Sequence, residues 1–458
     1  MEAHINSILK LQQTFFNEGN TRNISKRKTV LKDLKKEIEN REQDIAKAIY
    51  NDFKKPEFEV LLTETKIVLS DLKDAIRNIH KWTKPKRVTP SLLNFPSAAK
   101  IIKEPYGRVL IMSPWNYPFQ LALSPLIGAV AAGNTVVLKP SELTPNTSKI
   151  ISEIILKVFP KEYVTVVEGD KIIAQTLLEE KWDYIFFTGS PHVGKIVYQS
   201  AAKYLTPVTL ELGGKNPCIV DEKINIKLSA KRIVWGKFIN GGQTCIAPDY
   251  ILVDSKIKTQ LIEALKQEII NAYTKNPEES KDYVHIVNEN HTNRLKNLLS
   301  GQEILFGGVS YGKNSLAPTL VNEPSLESPL MQEEIFGPIL PIISYKNEEE
   351  IKSVITKYEK PLSLYVFSKR SAFAQKIINE FSFGGGAIND TVVHFVNKKL
   401  PFGGVGNSGL GAYHGKLTFN TFSHSKPIVN RGTWLDIPLR YAPYAKKTKW
   451  AGMLERFM

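Results

Sequence analysis

The sequence predicts an α/β protein of two parallel-sheet lobes with a small bridging element, and three observations predict it. From Gly107 onward, short apolar runs recur: GRVLIMS, NTVVLKP, YVTVVEG, DYIFFTG and PVTLELGG. Helical stretches separate them, around 118–132, 146–159, 171–180 and 193–203. The alternation then resumes after about residue 215 with NPCIV, a helix through 224–239, YILV, a helix at 256–273 and LSLYVFS at 362–368. Strands alternating with helices of this length form parallel sheets covered on both faces.

Taken in order, residues 1–80 read as amphipathic helices, with apolar positions such as Ile5, Ile8, Leu9 and Leu11 three and four apart. The string KPKRVTPSLLNFPSAAKIIKEPYG is proline-rich and partly alternating, which predicts a hairpin outside the main body. The run FQLALSPLIGAVAAGNTVVL has the length of a spanning helix, about 20 residues. Pro125, Gly133 and Asn134 break it, so it is read as a buried helix, a turn and a strand, with no integral membrane segment. Five strand tails follow, SPWN, KPSE, EGD, TGS and LGG, all polar or glycine-rich. Ligands of parallel sheets sit at these carboxyl ends.

Composition narrows the function classes. The 458 residues are 42% hydrophobic and 23% charged, ordinary for a globular chain of two or three substructures. Two cysteines cannot make a disulfide framework, which points to a reducing, cytoplasmic setting. The net charge of +15 raises nucleic acid as a partner. In KRKTVLKDLKKEIENREQDIAKAIYNDFKK, however, acidic residues interleave at helical spacing, so a solvated helix face is the reading and no nucleic acid is expected. The N-terminus MEAHINSILKLQQTFF lacks the basic-then-apolar pattern of a secretory leader, and the stretch from Arg440 has no apolar anchor.

Among candidate reactive groups, Cys245 in FINGGQTCIAPDY stands out, flanked by Gly241, Gly242, Gln243, Thr244 and Pro248. Free cysteines are commonly buried and inert, but glycines on one side permit close approach to the backbone. A free thiol with a pKa of about 8.5 needs its surroundings to become a nucleophile at neutral pH. Cys218, inside the apolar run NPCIV, is read as inert core. Glu211 closes an apolar strand before Gly213-Gly214, where a partly apolar turn would raise its pKa and suit it to general-base work. Asn116 in SPWNYPF carries a neutral amide able to donate to an oxyanion.

Two motif matches mislead. GVGNSG at 404–409 fits G-x-G-x-x-G, yet KKLPFGG precedes it rather than a strand, so it is read as a mobile turn. GSPHVGKI at 189–196 resembles a phosphate loop, but Ile196 stands where a hydroxyl must bind magnesium. What survives is a strand-to-helix turn whose amides favour the pyrophosphate of a dinucleotide. Lys139 and Glu142 of KPSE either reach the hydroxyls of an adenosine ribose or form a surface ion pair.

Together these strings resemble the aldehyde dehydrogenase superfamily, and most closely its class 3 branch of fatty and aromatic aldehyde dehydrogenases. The resemblance rests on PWNYPFQLALSPLIGAVAAGNTVVLKPSE, FFTGSPHVGK, LTPVTLELGGKNP, GGQTCIAPDY, MQEEIFGPILP, FGGGAIND and LPFGGVGNSGLGAYHGK, in the family's order. It implies Cys245 as nucleophile, Glu211 as deacylation base, and Asn116 with the Cys245 amide as oxyanion site. It further implies that Lys139 and Glu142 address the adenosine ribose. Gly189, Ser190 and Gly194 would lie by the dinucleotide, and Glu334 and Phe336 by the nicotinamide ribose and ring. The cofactor is then NAD or NADP, with no metal, the substrate an aldehyde, and the assembly a homodimer. Residues 1–81 and 104–210 would form a Rossmann-like cofactor domain, 211–395 the catalytic domain, and 82–103 with 396–458 the bridging and C-terminal segments. The stretch after 425 matches no pattern. Rival readings are an acylating enzyme using coenzyme A or phosphate, a silent structural protein on this scaffold, and a cysteine hydrolase. The hydrolase would need a histidine such as His192, His394, His414 or His424 at the thiol.

Overall fold

The computed structural model describes residues 2–436, 438–450 and 452. The N-terminal helices are α1 (Glu2–Asn17), α2 (Ile24–Asn40) and α3 (Glu42–Phe53). A longer helical stretch follows, made of α4 (Glu57–Val60), a π turn at Leu61–Thr65 and α5 (Lys66–Thr83). Their apolar stripes, including Leu31, Leu34, Ile45 and Leu72, are fully buried in one core with Val109 and Val136 of the first sheet. The proline-rich string that follows leaves the body as an antiparallel pair, β1 (Lys86–Val88) and β2 (Ser97–Pro105).

The first lobe comprises β3 (Arg108–Met112), α6 (Gln120–Ala132), β4 (Thr135–Lys139), α7 (Pro145–Val158), β5 (Val164–Val166), α8 (Lys171–Glu179), β6 (Tyr184–Thr188), α9 (Pro191–Ala202) and β7 (Val208–Glu211). These strands are parallel, in the spatial order β7-β6-β3-β4-β5. Every residue of β4 and β6 is buried, as a sheet covered on both faces requires. The membrane-length run resolves into α6, buried all round, and β4, joined at Gly133 with φ 99°. That left-handed turn is open to glycine without strain. Strand order reverses between β3 and β6, so the tails SPWN and TGS splay apart there and open a crevice.

The second lobe contains β8 (Pro217–Val220), α10 (Ile226–Phe238), β9 (Tyr250–Asp254), α11 (Lys258–Tyr273), α12 (Glu289–Leu299) and β10 (Glu303–Phe306). A small hairpin of β11 (Ser310–Tyr311) and β12 (Ser315–Leu316) precedes β13 (Thr319–Asn322), β14 (Ile339–Tyr345), β15 (Ser363–Phe367) and β16 (Gly385–Ile388). The sheet order is β10-β13-β14-β9-β8-β15-β16, parallel except for β10. Cys218 lies fully buried in β8, and both cysteines are free.

After the second lobe the chain returns to the first, where β17 (Gly409–Leu410) pairs antiparallel with β7. The stretch after 425, patternless in the sequence, begins inside a long strand, β18 (Ser423–Arg431), paired with β2 from Ser423 opposite Pro105 to Arg431 opposite Ser97. No helix of the described residues is long and apolar enough to cross a membrane.

Candidate active site

Cys245 sits on the loop between α10 and β9, and the loop is pinned from several sides. Asn240, Gly241 and Gly242 all take left-handed conformations, with φ of 57°, 62° and 74°. A Cβ on Gly242 would lie 2.4 Å from the Gly337 carbonyl oxygen, so the loop approaches residue 337 as only glycine allows. The Gln243 side chain donates to the carbonyls of Asn240 (3.0 Å) and His285 (3.1 Å) and accepts from the Val287 N–H (3.0 Å). Asn216 Nδ2 donates to the carbonyls of Cys245 (2.7 Å) and Ala247 (3.0 Å). With its backbone held in this way, Cys245 is only partly buried and borders open space.

Two strand tails of the first lobe meet this loop. From β3 comes Asn116, whose Nδ2 donates to the Gln243 carbonyl at 3.0 Å, leaving its second N–H for another acceptor. From β7 comes Glu211, the strand's last residue, with its carbonyl bonded to the Gly189 N–H at 3.0 Å. Its side chain is buried, and neither carboxyl oxygen has a hydrogen-bond partner among the described residues. Burial alone therefore pushes the Glu211 carboxyl well above the usual range. The GVGNSG turn, expected to be mobile, packs against this strand end: the Leu212 N–H donates to the Ser408 carbonyl at 3.1 Å. Gly409 pairs with Glu211 itself.

Burial raises the Cys245 thiol as well, the Glu334 and Glu211 carboxyls raise it further, and the N–H groups of Cys245 and Ile246 oppose the shift. A neutral resting thiol follows. The groups acting most strongly on it are carboxyls and backbone amides rather than a histidine.

Two cavities converge on this point, and Cys245, Glu211, Thr188, Leu121 and Leu212 line both. One is an apolar channel walled by residues such as Leu62, Ile67, Trp235, Ile246, Phe395 and Phe402. The other is a polar cleft over the strand tails, with Asn116, Gly189, Ser190, Gly213, Glu334 and Phe336 on its walls.

Against known proteins, the model of the aldehyde dehydrogenase family matches residues 2–428. The 4,4'-diaponeurosporen-aldehyde dehydrogenase of Staphylococcus aureus is 50% identical over 96% of each chain. Mouse aldehyde dehydrogenase family 3 member A2 is 42% identical over 97% of this chain and 92% of its own. The solved substrate-bound state of Staphylococcus aureus AldH superposes with a TM-score of 0.96 at 48% identity, covering 98% of this chain and 99% of that one. The chain belongs to the aldehyde dehydrogenase family.

The residues of this aldehyde dehydrogenase fit a dinucleotide in the polar cleft. A Cβ on Gly213 would lie 2.1 Å from Glu334 Oε2, so the missing side chain leaves a seat for that carboxyl. Burial, then the neighbouring Asp249, raises Glu334 to about 8, against the opposing bond from the Gly214 backbone. Ser190 caps α9 by accepting from the Val193 N–H at 3.4 Å, which presents the helix N-terminus to the cleft. Phe336 takes a left-handed φ of 49° and meets Trp115 edge-on, with ring centroids 5.3 Å apart.

Three of the sequence candidates do not line the cleft. Gly194 is buried on α9, where a Cβ would come 2.7 Å from Leu212 Cδ2. Its smallness serves helix-to-strand packing. Lys139 and Glu142 form an ion pair at 2.9 Å at the tail of β4.

Sequence reading missed other groups. Lys215 and Asp249, both buried and 2.6 Å apart, clamp the segment bearing Glu334. Lys215 Nζ donates to the carbonyls of Leu330 and Glu333, and Asp249 accepts from the Ile335 N–H. Arg294 donates to the carbonyls of Glu334 and Ile335. His291 lies tilted against Trp115 on the cleft wall, ring centroids 5.0 Å apart. Only Lys215, beside the glycine turn, carried a local signal.

Proposed function

We propose that this NAD(P)-dependent aldehyde dehydrogenase oxidises apolar aldehydes, medium- or long-chain aliphatic or aromatic, through a thioester on Cys245. The observation that carries the reading is the shared wall: Cys245 and Glu211 border the apolar channel and the polar cleft at once. An aldehyde reaching Cys245 along the channel brings its carbonyl beside the free N–H of Asn116.

Both the thiol and the Glu211 carboxyl are pushed up, so Glu211 is basic enough to take the thiol proton as the sulfur adds to the carbonyl carbon. The carbonyl oxygen gains the negative charge and accepts from Asn116 Nδ2 and the Cys245 N–H; one such donor is worth about 2.7–4 kcal/mol. A nicotinamide held in the cleft beside Glu334 and Phe336 would supply the acceptor for the carbonyl hydrogen and its electron pair, leaving the acyl group on Cys245 as a thioester. Glu211 passes the thiol proton out to solvent, then draws a proton from water as the water oxygen bonds the acyl carbon, and gives that proton to the sulfur as the C–S bond breaks and the thiol returns. In sum, aldehyde, water and oxidised cofactor give carboxylic acid, reduced cofactor and one proton. An acylating route through coenzyme A has no use for a buried base aimed at the thioester, and Glu211 speaks against it.

Among the described residues the channel wall holds no lysine or arginine, which supports apolar substrates over phosphorylated or carboxylated ones. Two free thiols support a reducing, cytoplasmic setting. A homodimer is supported by β18 and β16, each an edge strand of its sheet with unpaired backbone on one side.

Cys245→Ala tests the core of the proposal. Formation of reduced cofactor should vanish for every aldehyde, while equilibrium binding of NAD or NADP persists. Retained turnover would remove Cys245 from the reaction.

A further inference from the structure

Behind the proposed oxyanion site lies a charged cluster that the reaction as described leaves unused. It comes from the N-terminal helices: Lys55 just past α3, Glu59 in α4, and Glu64 in the π turn. Lys55 and Glu64 are fully buried, 2.9 Å apart. A buried ion pair seldom stabilises a fold more than apolar side chains of the same volume would, so its directional bonds are the informative part.

Those bonds run to both halves of the reacting site. Glu64 Oε2 accepts from the N–H groups of Phe119 (2.8 Å) and Gln120 (3.3 Å), three and four residues after Asn116, at the start of α6. Lys55 Nζ stands 4.1 Å from the ring centroid of Tyr117. Tyr117 shares a hydrogen bond of 2.7 Å with Thr244 Oγ1, one residue before Cys245. Glu59 Oε1 accepts from the Asn240 N–H at 2.8 Å, on the left-handed turn of the cysteine loop. Asn240 Nδ2 then bridges to the carbonyls of Asn116 (2.8 Å) and Gln243 (3.1 Å). The π turn explains how one short segment does this. Its wider winding lets Leu62 and Thr63 face the channel while Glu64 and Thr65 are fully buried, and single π turns recur at functional sites.

We propose that Lys55, Glu59 and Glu64 are positioning residues that lock the Asn116 loop and the Cys245 loop into one register, so that the side-chain donor of one and the backbone donor of the other converge on the same oxygen. None of the three touches the reacting atoms. Their action is on the spacing between two donors carried by different parts of the chain, where a displacement of about 1 Å can cost about 100-fold in rate.

The test compares Glu59→Ala with Glu59→Gln in the full-length enzyme. Glu59 is partly exposed, so neither substitution threatens folding, which a thermal melt verifies. Glu59→Ala strands the Asn240 N–H and should lower kcat about 10- to 100-fold, with KM for aldehyde and cofactor within about threefold. Glu59→Gln still offers an oxygen to Asn240 and should restore kcat to within about threefold of the parent. The paired variant Lys55→Met with Glu64→Gln removes both buried charges yet keeps an acceptor for Phe119, and should show a kcat-only loss of about tenfold. Glu59→Ala at parental kcat, a Glu59→Gln no better than alanine, or a loss expressed in KM would each overturn the proposal. Because it rests on Asn116 as an oxyanion donor, Asn116→Ala is measured alongside. Full activity there sinks the catalytic reading, whereas a loss there without one in Glu59→Ala sinks only the positioning role.

Discussion

The two cavities that meet at Cys245 have opposite chemistries. The channel is narrow, about 160 Å³, and among the described residues Glu211 is the only charged group on its wall. The cleft is about 680 Å³ and mixes Lys215, Arg294, Lys357 and Lys360 with Glu333, Glu334 and Glu359. An apolar tail gains about 0.8 kcal/mol for each methylene it buries in the first and little in the second. A dinucleotide's charges and hydroxyls find partners only in the second. The sulfur and the Glu211 carboxyl belong to both, which is where a reaction joining the two ligands must occur. The contrast teaches that selectivity for each ligand is set on its own side and is separable by mutation.

The largest effect is expected at the shared wall. Glu211→Gln removes the base without altering either chamber's shape. Steady-state turnover should fall about 10²- to 10³-fold, with no burst of reduced cofactor, because the same carboxyl takes the thiol proton before hydride can leave. An unchanged steady rate would show that water is activated elsewhere.

Next comes the channel. Leu62 is 48% exposed at its rim, so an aspartate there stays hydrated and the fold tolerates it. Leu62→Asp should cut kcat/KM for the longest aldehydes about tenfold and leave cofactor KM untouched. In the parent enzyme, kcat/KM should rise about fourfold per added methylene until the channel is filled. A flat chain-length series would mean that the tail does not lie in the channel.

How much of this was legible beforehand follows from where each partner sits in the chain. Cys245 and Glu211 announced themselves because their glycine turns are local: Gly242 has no room for a side chain beside residue 337, and Gly213 none beside Glu334. The α/β alternation and the buried character of 119–138 were likewise written in consecutive residues. Glu64 was invisible because its backbone partners lie 55 and 56 positions downstream. Asp249 bonds Ile335 across 86 positions and Lys215 from the head of the neighbouring strand. The GVGNSG turn looked like free surface for the same reason, since its partner β7 lies about 200 residues earlier. β18 lacks clean alternation because several of its residues are exposed on both faces.

On the cleft side, pH sharpens the contrast. Glu334 is raised to about 8, so at neutral pH its carboxyl is largely protonated and the ionised form appears as pH climbs through 8. A carboxylate accepts from two ribose hydroxyls where the acid accepts less well. Cofactor KM should therefore fall severalfold between pH 7 and 9, with no matching change in aldehyde KM. Glu334→Gln should flatten that profile. A profile unchanged by the substitution would assign the titration to another group.

The smallest expected effect concerns Lys139 and Glu142, whose ion pair lies off the cleft wall at the tail of β4. β4 adjoins β3, and the Ser113 N–H donates to the Lys139 carbonyl at 3.1 Å, so the pair sits one strand from the crevice, on the side toward β5. Lys139 is buried and its charge is taken up by Glu142, whose own side chain is 42% exposed. If the adenosine end of the cofactor extends along the strand tails, Glu142 repels a 2′-phosphate and favours NAD. Screening at an exposed carboxylate limits the effect to about 1 kcal/mol. Glu142→Gln should accordingly raise the NADP-to-NAD ratio of kcat/KM about fivefold, chiefly through KM for NADP. A ratio that stays put would detach the pair from the cofactor altogether, and leave it as a brace for the tail of β4.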